Sequence, residues 1–295
     1  MKHPWSGHKE DKVKKRSSSW MSAPLILWTL IFVGASIAYI VVLSFLTRNP
    51  EGNGVILRFT LENYAKLANP AYARVFLNTL RLGVETTALC ILIGYPFGML
   101  MARSQGAWRK MLLLLVIVPF WTNALVRIYG WRMLLMGNGP LNAVLKAAGI
   151  IDKPLKIMNT HGAVLLGMVY GLVPFMILPV YTSAEKLDPT LSSAGRDLGA
   201  KPWKVFLTVE LPLTLPGLLT GCVLVFVPSM ALFFISDLLG GASDILIGNL
   251  VRDQLLKSRD WPFAAALSVV LLVMTAAVLF IQRKAGGKSS DMTQM

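Results

Sequence analysis

From Ser17 to Thr47 the chain carries no charged side chain, and shorter stretches of the same kind recur along its length. The hydrocarbon core of a bilayer demands about 20 consecutive apolar residues per crossing helix. Repeated runs of that length confine the chain to a bundle of spanning helices or to one very large apolar core. Composition decides between them. Of the 295 residues 55% are hydrophobic and 15% charged, with a mean hydropathy of +0.59. Soluble domains carry about 25% charged residues. The runs also lack the period-two alternation of a barrel strand, so the sequence predicts an all-α membrane protein.

Six stretches qualify as transmembrane helices. The first is expected over Pro24–Leu46. The second includes Thr86–Ala102 and begins near Asn78. The third runs from Met111 to about Tyr129. The fourth is His161–Ala184, the fifth Leu211–Ser236 and the sixth Trp261–Gln282. The first is too long for a signal-peptide core and no small-residue cleavage site follows it, so it is expected to remain as a span. Basic residues mark the N-terminal tail, the short Arg103–Lys110 connector, the Glu185–Glu210 loop and the end of the chain. The positive-inside rule places those segments, and both termini, in the cytoplasm. The expected organisation is a basic cytoplasmic tail over 1–19, one six-helix domain over 20–285 and a second cytoplasmic tail over 286–295.

The net charge of +14 is therefore assigned to topology and membrane lipid. No aromatic–basic interleaving or RNA-binding signature points to nucleic acid. Cys90 and Cys222 lie inside apolar blocks with no metal-type spacing and are expected to be packing residues. His3, His8 and His161 form no metal constellation, and no nucleophile–base or paired-carboxylate arrangement occurs in the spans. An enzyme is not expected.

The connector between the fourth and fifth spans is long and polar. Asp188-Pro189 is a helix-start signal, with Asp able to cap and Pro suited to the first turn. Leu191, Ala194 and Leu198 follow at helical spacing. Gly199 ends that helix and Lys201-Pro202-Trp203 starts another, whose apolar side is Val205, Phe206 and Val209. Leu211-Pro212 is expected to mark entry into the fifth span. From pattern alone this helix–turn–helix is either an interfacial re-entry segment or a docking surface.

The stretch SSAGRDLGAKPWKVFLTVELP resembles the cytoplasmic loop of binding-protein-dependent ABC permeases. That motif reads Glu-Ala-Ala, three residues, Gly, nine residues, Ile-any-Leu-Pro. Ser193, Ala194 and Gly195 fill the first places, Arg196 and Asp197 follow, Gly199 is the glycine, and Val209, Leu211 and Pro212 are the end. Ser193 stands in the acidic place and Gly195 in an alanine place, which leaves the polar contact of that acid with an ATPase open. YPFGMLMA (95–102), VPFWTNALVRIYGW (118–131), FFISDLLGGA (233–242), LIGNLV (246–251) and RDWPFAAALS (259–268) are similar to the spermidine/putrescine permease family, in particular its PotB-type subunit. The resemblance implies the type I ABC importer permease fold and a heteromeric importer. Its other members would be a second permease subunit, two copies of an ABC ATPase and a periplasmic polyamine-binding protein. No loop of the form Gly, four residues, Gly-Lys-Ser/Thr occurs in this chain, so ATP and Mg are expected on the partner ATPase and no cofactor on this subunit. Two alternatives stand beside polyamine transport: a permease for another small solute, and a membrane scaffold subunit without a pathway.

Ionisable and aromatic groups at membrane depth are functional hypotheses by default. A polyamine would favour carboxylates, carbonyls and aromatic faces. Asp237, with Phe233 and Phe234 one turn earlier, is expected as a carboxylate at the outer mouth, against the alternative of a helix-terminal residue facing water. Trp121 and Asn123 in the third span and Tyr170 beside Pro174 in the fourth complete the candidate pathway. Pro174 and Pro228 are expected to kink their helices and free carbonyls. Arg81 and Glu85 share a helix face and are expected to neutralise each other. Arg127 is a poor ligand for a cation, and is expected to snorkel outward or to pair with an acid.

Overall fold

The computed structural model describes residues 19–49, 54–241 and 244–292. The expected N-terminal tail therefore lies outside the described residues except for Ser19. Among the described residues, five helices are long and apolar enough to cross a membrane: Pro24–Ser44, Pro70–Arg103, His161–Ala184, Pro202–Ala231 and Trp261–Lys284. A bent pair, Gly106–Trp121 with Ala124–Ala147, passes the same test together, turned through 95° at its break, and makes a sixth candidate crossing if it is counted as one span.

That break corrects the expected third span. Residues 111–129 are not one helix. The Gly106–Ile117 helix tightens into a 3₁₀ turn over Val118–Trp121, around Pro119, and Thr122 is extended. Asn123 then starts a new helix, Ala124–Leu135, its side chain accepting from the Leu125 amide at 2.8 Å. Pro removes a backbone donor and Asn caps a fresh N-terminus, so the local chemistry favours a restart. The short helix expected in the following loop is present over Pro140–Ala147.

The other bounds also shift. The second span begins at Pro70, where Asn69 caps by accepting from the Ala71 amide. The fourth has the expected limits and is capped by Thr160. The fifth is part of one continuous helical segment from Pro202 to Ala231, so Leu211-Pro212 is no boundary. It stops at Leu232, and Phe233–Leu239 is a separate helix. Pro174 does not interrupt its helix, and the end after Pro228 comes four residues later. The last helix runs on to Met292, through much of the expected C-terminal tail. A small antiparallel ribbon, Leu46–Arg48 with Val55–Phe59, follows the first span. Asn63 pins its base by donating to the carbonyls of Ser44 and Leu46, both at 2.9 Å.

The second, fourth and fifth spans form the centre. Leu82, Cys90, Tyr95, Met168, Met176, Val180 and Val225 share one buried cluster. Helices in a bilayer gain no hydrophobic drive from one another and pack through small residues that let backbones approach. Gly217 is such a contact: a Cβ there would meet the Pro179 carbonyl oxygen and the Ser183 Cβ, each at 2.5 Å. The first span packs along the sixth. It leaves Leu25, Trp28 and Phe32 more than half exposed, as lipid or another subunit would require.

Candidate functional site

The connector after the fourth span forms the expected helix–turn–helix. Asp188 caps Pro189–Asp197 by accepting from the Thr190 amide at 2.9 Å. Hydrogen bonds from Thr190, the backbone one first, hold the Asp188 carboxyl below its ordinary range. Gly199 closes the helix at φ +80°, with its amide donating to the Arg196 carbonyl at 2.8 Å. Only glycine adopts that left-handed conformation at little cost. Gly195 explains its departure from alanine: a Cβ there would press on Val205 Cγ2 at 3.3 Å, where the two helices meet.

Three polar ties fix this loop to the spans. Glu210, itself buried, accepts from Arg103 Nη2 at 2.5 Å and from Ser192 Oγ at 3.0 Å. One carboxylate thus joins the end of the second span, the first loop helix and the base of the fifth. Arg109 donates to Glu185 at 2.7 Å and to the Ser104 carbonyl at 2.8 Å, joining the start of the third span to the end of the fourth. Tyr95 and Thr214 share a 2.7 Å bond just above. A cleft of about 480 Å³ between Arg103, Arg109, Asp188, Ser192 and Arg196 runs beneath the loop.

The opposite side of the loop has no such ties. Leu191, Ala194, Asp197 and Gly199 are exposed away from the cleft, whereas Ser193 and Arg196, also exposed, line it. Leu198 is 88% exposed and Trp203 62%. Ser193 bonds only weakly back to the Pro189 carbonyl, at 3.3 Å. Of the predicted coupling residues, Ala194, Asp197 and Gly199 face away from the cleft, Ser193 and Arg196 line it, and Gly195 packs on Val205. Leu211 and Pro212 stand apart from it, inside the continuous helix: Leu211 packs against the core and Pro212 is exposed. Glu210 and Arg103 were not singled out from sequence, because their pairing spans 107 positions.

The predicted pathway residues separate into two groups. Asp237 is no free carboxylate. It forms an ion pair with Arg252 and accepts from Asn249 Nδ2 at 2.6 Å, while Arg252 lies over the Phe233 ring at 5.5 Å. Arg252 also bonds Asp253, which Lys257 reaches at 3.0 Å. Partial burial pushes the Asp253 carboxyl up, but these two bonds outweigh it and hold it below its ordinary value. Tyr170 belongs elsewhere, to a cavity of about 340 Å³ with Phe120, Phe175 and Arg127. Trp121 is 79% exposed and outside that lining. Asn123 is taken up by its capping bond.

Arg81 and Glu85 pair at 2.8 Å, as their spacing implied. Glu85 also meets His161 Nε2 at 2.5 Å, and His161 Nδ1 meets Asp244 at 2.9 Å. This acid–His–acid bridge between the second span, the fourth span and the 244 loop carries no signal in the sequence. Arg127 corrects another expectation. Among the described residues it has no acidic partner, and its guanidinium lies 4.9 Å from the Phe120 ring centre and 5.8 Å from that of Tyr170.

Residues 94–284 match the family described as the binding-protein-dependent transport system inner membrane component. The chain belongs to that family. It is 45% identical over 263 residues to the spermidine/putrescine transport system permease protein PotB of Haemophilus influenzae, spanning 89% of this chain and 92% of that protein. It is 44% identical to the PotB protein of Escherichia coli, spanning 90% and 96%. Among solved structures, a bacterial ABC transporter involved in import of the acidic polysaccharide alginate superposes with a TM-score of 0.67. That match has 18% identity and covers 90% of this chain and 94% of that one. An inward-facing methionine ABC transporter superposes at 0.58, covering 75% and 99%. The fold is that of type I ABC importer permeases. As a member of the family the chain is a multi-pass inner-membrane permease subunit, not an enzyme.

Proposed function

We propose that this permease conducts spermidine or putrescine inward, driven by a separate ATPase that docks on the Glu185–Pro212 loop. The observation that carries the coupling half is the two-sidedness of the loop. Its inner side is tied to the second, third, fourth and fifth spans through Glu210, Arg103, Arg109 and Glu185, and its outer side offers Leu191, Leu198 and Trp203. A partner gripping the outer side would move several spans together. Differential contact with two ATPase states would then bias the inward- and outward-open forms.

The substrate half is supported by identity of 44–45% across about nine-tenths of the chain to permeases named for spermidine and putrescine. The aromatic cavity of Phe120, Tyr170 and Phe175 is chemically suited to an ammonium group. The full complex would hold a second permease, two ATPase copies carrying ATP and Mg, and a periplasmic polyamine-binding protein, with both termini of this chain cytoplasmic. A conduit should bind weakly enough to release, consistent with carboxylates that already have partners.

The test is uptake of labelled spermidine and putrescine by a strain deleted for this gene and for redundant systems. Restored ATP-dependent uptake on complementation is expected. Equal uptake of both with and without the gene would overturn the polyamine reading, and restored uptake of another small solute would replace it.

A further inference from the structure

The cavity beside the broken third span has a built aromatic wall. Phe175 packs edge-on to Phe120 at 5.5 Å, and Trp131 edge-on to Tyr170 at 5.4 Å. The two faces that remain, Phe120 and Tyr170, receive the Arg127 guanidinium. A cation within about 6 Å of such rings is held by their quadrupoles. The rest of Arg127 is poorly served. Its Nε is buried with no hydrogen-bond partner, and no carboxylate among the described residues pairs with it. A buried donor without a partner carries a desolvation penalty, and such groups in native structures call for an explanation.

We propose that this cavity is a subsite for an alkylammonium group and that Arg127 is its tethered occupant, displaced when substrate passes. The inference rests on the reading of the cargo as an organic cation. The same ring faces accept guanidinium or ammonium. A tethered group competes at an effective concentration on the order of millimolar, so a free amine gains the site only when Arg127 withdraws. Its unsatisfied Nε makes the occupant easy to release. The chain supplies a means: Arg127 stands one turn into the helix that restarts at Asn123, next to extended Thr122 and the 95° bend. A rotation of that short helix about Thr122 would carry Arg127 off the rings, breaking the Trp131–Tyr170 contact and unseating Ile128 from the core as it does so. Arg252, over Phe233 and paired with Asp237, repeats the theme at the second cluster. In both places the chain's own guanidinium fills the groups best able to hold a cation.

The experiment measures equilibrium binding to the assembled complex of both permeases and ATPase in lipid nanodiscs, without binding protein. The probes are labelled spermidine and, separately, labelled methylguanidinium. The variants are wild type, Arg127→Met, and Arg127→Met combined with Phe120→Leu and Tyr170→Leu. Removing the tethered cation is expected to tighten binding of both probes at least ten-fold, and removing the rings to abolish the gain. An Arg127→Met complex of normal yield and ATPase activity that binds neither probe more tightly overturns the proposal, as does a gain that survives loss of the rings. A gain for methylguanidinium alone marks a guanidinium site and overturns the alkylammonium proposal, while the uptake assay decides the polyamine reading separately. If Arg127→Met does not assemble, Arg127→Lys replaces it. Its smaller ammonium cannot lie flat across two rings, so a gain of a few-fold is expected and no gain overturns the proposal.

Discussion

The cytoplasmic loop and the third-span cavity handle their charges in opposite ways. In the loop, charges face one another inward: Glu210 with Arg103, Glu185 with Arg109. The outer side is left for something else to cover. At the cavity and at Asp237 the groups suited to a cation are already taken by Arg127 and Arg252. On the proposed function, the first region would receive a partner as it stands. The second must rearrange before it can receive a ligand. In the proposed function, energy would enter at the loop and the rearrangement would follow at the pathway.

The largest effect is expected where the loop depends on backbone alone. Gly199→Val forces a β-branched residue to φ +80°, at a cost of about 1–2 kcal/mol in a left-handed conformation. The turn that sets the outer surface should distort. ATP-dependent uptake is expected to fall more than ten-fold while the membrane-inserted amount is unchanged, checked by transport assay against immunoblot. Unchanged uptake would remove the contrast between the regions.

Glu210→Ala tests the inner ties. It frees Ser192 and leaves Arg103, already more than half exposed, to solvent. The loss is about 1–3 kcal/mol of anchoring for a buried hydrogen-bonded carboxylate. ATPase is expected to co-purify with the variant, but transport per ATP hydrolysed should drop several-fold.

Asp237→Asn sharpens the other half. Because the carboxylate is paired with Arg252 and Asn249 in this conformation, initial polyamine uptake is expected to change less than about three-fold, the scale of a partly exposed pair worth under about 1 kcal/mol. A loss comparable to Gly199→Val would make Asp237 a primary substrate ligand.

The smallest effect concerns the Asp188 cap. Its carboxyl is held below the ordinary value of 3.8. The cap's contribution is therefore complete above pH 3.8 and is lost as pH falls through the depressed value. Amide exchange in Pro189–Asp197 should quicken over that acid window in wild type. Asp188→Asn keeps the cap and should flatten the response.

What could be read in advance follows from range. The fourth span showed its limits because Thr160 and the charge at Glu185 bound it locally. Asp188, Pro189 and Gly199 specified the loop turns for the same reason. The third span looked continuous because Thr122 and Asn123 are polar but uncharged, and only a capping bond reveals the restart. The pairings of Glu210 with Arg103 and of His161 with Glu85 and Asp244 join residues 76 to 107 positions apart, which no local pattern reports. Arg127 was expected to snorkel outward or to pair with an acid, and two aromatic faces receive its guanidinium instead.

The central claim is that this chain is moved by an ATPase seated on the Glu185–Pro212 loop. It is tested most directly by photo-crosslinking within the assembled complex from Leu198, 88% exposed on the loop, and from Leu57, 91% exposed on the ribbon. The expected result is a crosslink to the ATPase from Leu198 and none from Leu57. An ATPase crosslink from Leu57, or none from Leu198 in an active complex, would contradict it.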